Sequence, residues 1–251
     1  MAELFADSGY EIKEFTEVAD VYVINTCSVT NMGDRKSRQI IRRAKKLNPN
    51  AVIAVTGCYA QTAPDEVLAI EGVNLVLGTK DRKNIVTLVE ELNTESNINH
   101  VSDIMSNHEF EELQIKQYSN RTRAFIKIQE GCNQFCSYCI IPYARGPVRS
   151  RAKDDVVREI KELAHNGFKE IILVGIHVAS YGVDLGDTTL ESLIMDVDKI
   201  DGVERIRLSS IEPMTLNQEF IDSIKDSKKL CHHFHICLLY TSPSPRDGAT
   251  S

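Results

Sequence analysis

Short β-branched runs alternate with stretches of helical period along this chain, and that alternation constrains the fold more than any other feature. Residues 19–25 (ADVYVIN), 51–56 (AVIAVT) and 73–77 are apolar strand candidates. Between them, residues 35–47 have helical periodicity with Ile40, Ile41, Ala44 and Leu47 on the apolar face, and further helices are expected near residues 64–70 and 81–92. Alternation of this kind predicts α/β architecture, with a doubly wound parallel-sheet domain over residues 1–95.

Residues 96–120 are polar, rich in Asn, Ser and Glu, and lack a clean period, so they read as a linker. The alternation then resumes over residues 121–236. A strand is predicted at 123–129. A helix begins at Asp154, with Val156, Val157, Ile160, Leu163 and Ala164 on one face, and Asn166 and Gly167 stop it. Residues 170–175 (EIILVG), 189–200 and 203–209 follow as strand, helix and strand. These are βα units of a barrel or an open sheet, with no short-period repeat beneath them.

Composition excludes some classes. No apolar run approaches bilayer length, and the start, MAELFADSGY, is acidic where a secretory signal is basic and then apolar. No membrane partner and a cytoplasmic location are expected, where the seven cysteines would be reduced and point to metal binding or catalysis rather than disulfides. A net charge of −7 gives no global sign of a nucleic-acid partner, so local patches have to carry that argument.

Three of the cysteines crowd into EGCNQFCSYCIIPYARG, at positions 132, 136 and 139. A structural zinc site wants four ligands and a disulfide framework an even number, so three thiols satisfy neither. They lie just after the first strand of the second domain, at the carboxyl end where α/β folds place ligands. Three thiolates can hold three irons of a cubane iron-sulfur cluster and leave the fourth iron open. The alternatives are a zinc site completed by His165 or His177, or three incidental buried thiols; the spacing and the placement after a strand favour the cluster.

CNQFCSYC resembles the CxxxCxxC motif of radical S-adenosylmethionine (SAM) enzymes, with the aromatic Tyr138 before the third cysteine. INTCSVTNMGDRKSRQ, VTGCYAQ, KIQEGCNQFCSYCIIPYARGPVRSR, VGIHVASYG and RIRLSSIEP extend the resemblance to methylthiotransferases over residues 1–236. Among these the chain is most similar to the bacterial enzymes that modify threonylcarbamoyladenosine beside the tRNA anticodon. The resemblance implies an N-terminal second-cluster domain followed by an incomplete radical SAM (β/α) barrel, and two 4Fe-4S clusters in the complete enzyme. One sits on Cys132, Cys136 and Cys139; its open iron chelates SAM, whose reductive cleavage yields the radical that removes hydrogen from carbon 2 of the adenine. The other sits on Cys27, Cys58 and a cysteine expected before residue 1, and supplies the sulfur of the methylthio group.

The resemblance also implies an electron donor such as flavodoxin or ferredoxin. It places SAM contacts at Tyr138 and at the turn of Gly175 and His177, and Ser210 and Glu212 end the next strand in reach of the ribose or carboxylate of SAM. The alternatives are a hydrogen-bonded loop histidine for His177 and a solvated strand end for Glu212. The neighbouring possibilities are methylthiolation of isopentenyladenosine in tRNA or of a ribosomal-protein aspartate, and, from another class, a zinc-bound nucleic-acid-binding module.

For tRNA, one candidate surface is the helix carrying Arg35, Lys36, Arg38, Arg42, Arg43, Lys45 and Lys46, and another is Arg145, Arg149 and Arg151; for either patch by itself a solvated basic face is the favoured alternative. Tyr143 and Tyr181 are the candidate base-stacking platforms. After residue 236 the sequence CLLYTSPSPRDGATS departs from the family pattern and reads as a non-native tail; Cys237 is given no role.

Overall fold

The computed structural model describes residues 1–28, 31–92, 97–112 and 123–236. The chain divides into two compact units, Met1–Lys116 with Asn133–Pro147, and Gln117–Cys132 with Val148–Ser251. The tail read as non-native and part of the expected linker lie outside the described residues.

In the first unit, α1 (Ala2–Asp7), β1 (Val21–Thr26), α2 (Asn31–Leu47), β2 (Val52–Gly57), α3 (Cys58–Thr62), α4 (Pro64–Leu68), β3 (Leu75–Leu77), α5 (Ile85–Glu90) and β4 (Ile98–His100) follow in order. The strands form one parallel sheet in the order β1-β2-β3-β4, with Val21 opposite Val52 and Leu75 opposite Ile98. Successive residues of β2 point to opposite faces, and both faces are covered. Ile53 and Val55 pack with Tyr22, Ile24, Ile41, Ala44, Tyr59 and Val67. Ala54 packs on the other side with Phe5, Leu75, Leu77, Ile85 and Val89. Burial on both faces explains the unbroken apolar run of residues 52–55. A short helix, α6 (Ile141–Arg145), completes this unit.

The fourth strand corrects the linker assignment. Residues 98–100 sit at the sheet edge with all three side chains exposed, so main-chain bonding to β3 makes the strand and no apolar alternation announces it.

The second unit contains β5 (Arg123–Lys127), β6 (Gln129–Glu130), β7 (Arg149–Ser150), α7 (Lys153–His165), β8 (Glu170–Val174), α8 (Leu190–Asp198), β9 (Arg205–Leu208) and α9 (Gln218–Ile224). β5, β8 and β9 are parallel neighbours in that order. Parallel bridges of Ile206 to Leu230 and of Ile211 to Ile236 carry the βα pattern one strand position further. Val156, Ile160, Leu163 and Ala164 of α7 enter the core as their spacing predicts, against Ile171, Leu173, Leu193 and Ile206. A reciprocal capping box of Thr189 and Ser192 starts α8. β6 and β7 form a separate antiparallel pair, Gln129 opposite Ser150 and Glu130 opposite Arg149. No helix among the described residues is long and apolar enough to cross a membrane.

Candidate functional site

In the first unit the chemistry-bearing residues gather along the carboxyl edge of the sheet. Cys27 follows β1 directly and is exposed, whereas Cys58 opens α3 directly after β2 and is buried. Hydroxyl groups stitch this edge together beyond the main-chain ladder. Thr26 Oγ1 donates to Thr56 O at 2.6 Å, and Thr56 Oγ1 donates to Gly78 O at 2.8 Å. Thr79 Oγ1 donates to Ala144 O at 2.8 Å. Gly57 lies between the two cysteine positions with φ of +99°, and a Cβ there would fall 2.3 Å from Thr26 O, so glycine is required for both conformation and space. Arg145 Nε donates to Cys58 Sγ at 3.2 Å, a contact that motif reading alone does not reveal.

Cys136 and Cys139 belong to this unit and are half-buried, with the Cys139 N–H donating to Cys136 O at 2.9 Å in a turn. Phe135 takes the left-handed φ of 46° and meets Tyr143 edge to face at 5.8 Å. Tyr138 and Tyr143 are exposed, as an aromatic group that receives a planar partner must be.

Cys132 belongs to the second unit and leaves the sheet just after β6. Here the end of β8 and the end of β9 come together. Gly175 N–H donates to Ser209 Oγ at 3.3 Å, and Ser210, the residue expected from sequence to contact SAM, follows it and is exposed. His177 Nε2 stands 3.0 Å from Glu212 Oε1, and its Nδ1 meets the Ser180 hydroxyl. The turn is anchored from below by Gln129, a residue that the motifs contain without marking it: its Oε1 accepts from the His177 N–H at 2.9 Å.

The arginines expected on an RNA-binding surface divide. Arg149 is 2% exposed and sits 4.0 Å from Glu130, and Arg151 is buried against Glu159, so neither is a surface phosphate ligand. Tyr181 is likewise withdrawn: it is buried, its hydroxyl donates to Arg151 O at 2.9 Å, and burial pushes its pKa well above the ordinary phenol value. On α2, Arg38 Nη1 donates to Tyr59 Oη at 2.8 Å, Arg43 lies over the Phe15 ring, and Lys45 donates to Pro49 O. Arg35, Lys36, Arg42 and Lys46 remain exposed.

None of the six described cysteines is in a disulfide, and three of them occupy one eight-residue loop, a donor set of soft thiols suited to iron and sulfide. Among the described residues no three His, Cys, Asp or Glu side chains converge as ligands of one metal ion. A cubane spreads its thiolates over separate irons, and the fit rests on the chemistry of the donors.

Comparison with known proteins bears on the same residues. Residues 126–243 match the Radical SAM superfamily. The match begins in β5 and contains the three-cysteine loop. Residues 1–78, with Cys27 and Cys58, match the family described as "Uncharacterized protein family UPF0004". The chain is 49% identical over 236 residues to the threonylcarbamoyladenosine tRNA methylthiotransferase MtaB of Bacillus subtilis, covering 93% of this chain and 52% of that one. It is 42% identical to the MtaB of Aquifex aeolicus, with 93% and 57% covered. It is 37% identical to the tRNA-2-methylthio-N(6)-dimethylallyladenosine synthase of Thermoanaerobacter pseudethanolicus, with 94% and 51% covered. The chain thus spans about half the length of the curated relatives it matches. Among solved structures, the radical SAM methyltransferase TsrM of Kitasatospora setae, with tryptophan and a SAM analogue bound, superposes with a TM-score of 0.59 at 15% identity. That alignment covers 91% of this chain and 54% of the other, and likeness at this identity establishes the α/β fold alone.

Proposed function

We propose that this chain is part of a cytoplasmic tRNA methylthiotransferase that modifies carbon 2 of N6-threonylcarbamoyladenosine beside the anticodon. The observation that carries the reading is the CxxxCxxC loop, which leaves β6 shortly after the parallel strand β5, inside the segment that matches the Radical SAM superfamily. The 49% identity to the Bacillus subtilis threonylcarbamoyladenosine enzyme, against 37% to the dimethylallyladenosine enzyme, supports the substrate.

In this reading Cys132, Cys136 and Cys139 hold one 4Fe-4S cluster, and Cys27 and Cys58, with one further cysteine, hold a second. The bound clusters and SAM, with electrons from a flavodoxin or ferredoxin, supply the one-electron chemistry and sulfur needed to functionalise an aromatic C–H bond. The protein's own groups do the placing. The turn from Gly175 to His177, with Ser209 and Glu212 beside it, offers a backbone and carboxylate surface for the amino and carboxylate groups of SAM. Tyr138 offers an exposed ring beside the ligand loop, and Arg145 donates to the Cys58 sulfur. Arg35, Lys36, Arg42 and Lys46 offer charge to phosphates.

The test is anaerobic reconstitution with iron and sulfide. The expected product is a brown protein with roughly four irons held by the loop, which forms 5′-deoxyadenosine from SAM on reduction. A colourless protein that holds zinc in preference to iron refutes the reading.

A further inference from the structure

We propose that Gln129 is a positioning residue that ties the stem of the cysteine loop to the turn at residues 175–177. Its side chain is fully buried. Nε2 donates to Glu130 O at 2.9 Å and to Gly131 O at 2.7 Å, and Oε1 accepts from the His177 N–H at 2.9 Å. The orientation of the carboxamide is unambiguous, because a backbone N–H only donates and a carbonyl only accepts. Both amide protons and the oxygen are thus used, on two segments of chain more than forty residues apart.

Two further observations show that the surroundings are shaped to this side chain. A Cβ on Gly175 would stand 2.8 Å from Gln129 Oε1 and 3.1 Å from Gln129 Cβ, so the close approach of turn and carboxamide needs glycine there. Gln129 also pairs with Ser150 in the antiparallel stem that closes residues 131–148 into a loop, and Ser150 Oγ accepts from the Gly182 N–H at 2.8 Å. The stem is therefore bonded from both of its strands to the segment that follows β8.

Gly131 immediately precedes Cys132. One carboxamide consequently sets where the first thiol leaves the sheet and where the backbone of His177 lies. The inference deepens the proposed function and rests on it: if Cys132 holds the cluster and the turn holds SAM, Gln129 fixes the two in one register. A group bonded to the backbone beside a metal ligand acts as outer-shell partners do, by orienting the ligand rather than by touching the metal.

The test uses the 251-residue chain and the variants Gln129→Leu, which removes all three bonds, and Gln129→Glu, which keeps an acceptor for His177 but presents oxygen to the two carbonyls. In the cluster-free protein, amide exchange at His177 is expected to rise roughly tenfold in Gln129→Leu, as a lost hydrogen bond of ordinary strength implies, and to stay near wild type in Gln129→Glu. In the reconstituted protein, both variants should release iron at roughly tenfold lower chelator concentration. The change that SAM induces in the electron paramagnetic resonance of the reduced cluster should be lost in Gln129→Leu and kept in Gln129→Glu. Leu193→Ala, a core cavity in α8, serves as the control that lowers stability without touching the stem.

Unchanged exchange at His177 in Gln129→Leu overturns the inference, as does iron retention that falls equally in Leu193→Ala. Raised exchange with an unaltered SAM response also overturns it, since the clamp is then structural only. A wild-type chain that takes up no iron refutes the proposed function instead, and the exchange measurement still decides whether the clamp exists.

Discussion

Glu170→Gln tests the end of the second unit's parallel sheet opposite to the turn at residues 175–177. Glu170 is the first residue of β8 and is 4% exposed, and three arginines converge on it. Arg207 Nε lies 2.9 Å from Oε1, Arg205 Nε 3.1 Å from Oε2 and Arg123 Nε 3.4 Å from Oε1. Burial alone would raise the carboxyl pKa, but the hydrogen bonds from Arg205 and Arg207 and the charges of Arg123 and Arg207 more than offset it and hold the value below the ordinary 4.5. Glutamine keeps one acceptor oxygen, so one arginine bond disappears and the other loses its charge assistance.

Charge-assisted bonds contribute about 1.5–3 kcal/mol each, and the partly exposed arginines recover water, which discounts the loss toward about 1.5 kcal/mol. A chain of this size then melts about 3–6 °C lower. The carboxylate's contribution is present above the unfolded pKa and disappears as pH falls through the lower folded value. The stability gap between wild type and variant should therefore be constant near neutrality and close below pH 4.5. Urea unfolding followed at several pH values measures it, and iron uptake by the loop should not change. Equal stability at neutral pH, or a gap that widens in acid, would show that desolvation cancels the arginine interactions and refute the reasoning.

Changing Cys132, Cys136 or Cys139 to Ala should abolish 5′-deoxyadenosine formation in an enzyme completed to the length of its relatives, and a normal yield from any one of them removes that residue from the ligand set. Gly57→Ala should destabilise the first unit by about 2–3 kcal/mol in urea unfolding, because it combines a left-handed φ with a Cβ 2.3 Å from a carbonyl oxygen; a cost near zero would mean that the strand end moves freely. In the same completed enzyme, changing Arg35, Arg42 and Lys46 to Gln should flatten the salt dependence of tRNA binding by about 0.9 for each phosphate no longer neutralised, and an unchanged slope makes α2 a solvated face. Arg38→Gln should instead act on stability, since its guanidinium is bonded to Tyr59.

The parallel strands other than β4, and α7 and α8, are legible in the sequence because burial on both faces or one leaves an unmistakable pattern, as in AVIAVT or the Val156, Ile160, Leu163 series. The cysteine loop is legible for a different reason, since three thiols in eight residues have few chemical uses. What escapes a reading of sequence has a common cause. β4 is held by main-chain bonds at an exposed edge, and the two-residue pair of β6 and β7 is too short for any period. Arg149 and Arg151 look like surface cations in a sequence, yet Glu130 and Glu159 bring them inside. Ser209 and Ser210 are chemically alike, and only strand register selects the one that meets Gly175. Gln129 lies within a recognised motif, but an amide acquires a role only when its three partners are known.

The hydroxyl bonds at the carboxyl edge of the first sheet bear on kinetics. Strand ends ordinarily fray first, since their last amides lack one neighbour of the ladder. Here Thr26 and Thr56 replace that neighbour with side-chain bonds to the next strand, and both are buried. The segments that bear Cys27 and Cys58 therefore depart from points that open on the timescale of the sheet centre rather than of its margins, and a thiol-labelling reagent should find Cys58 only through global unfolding of that sheet.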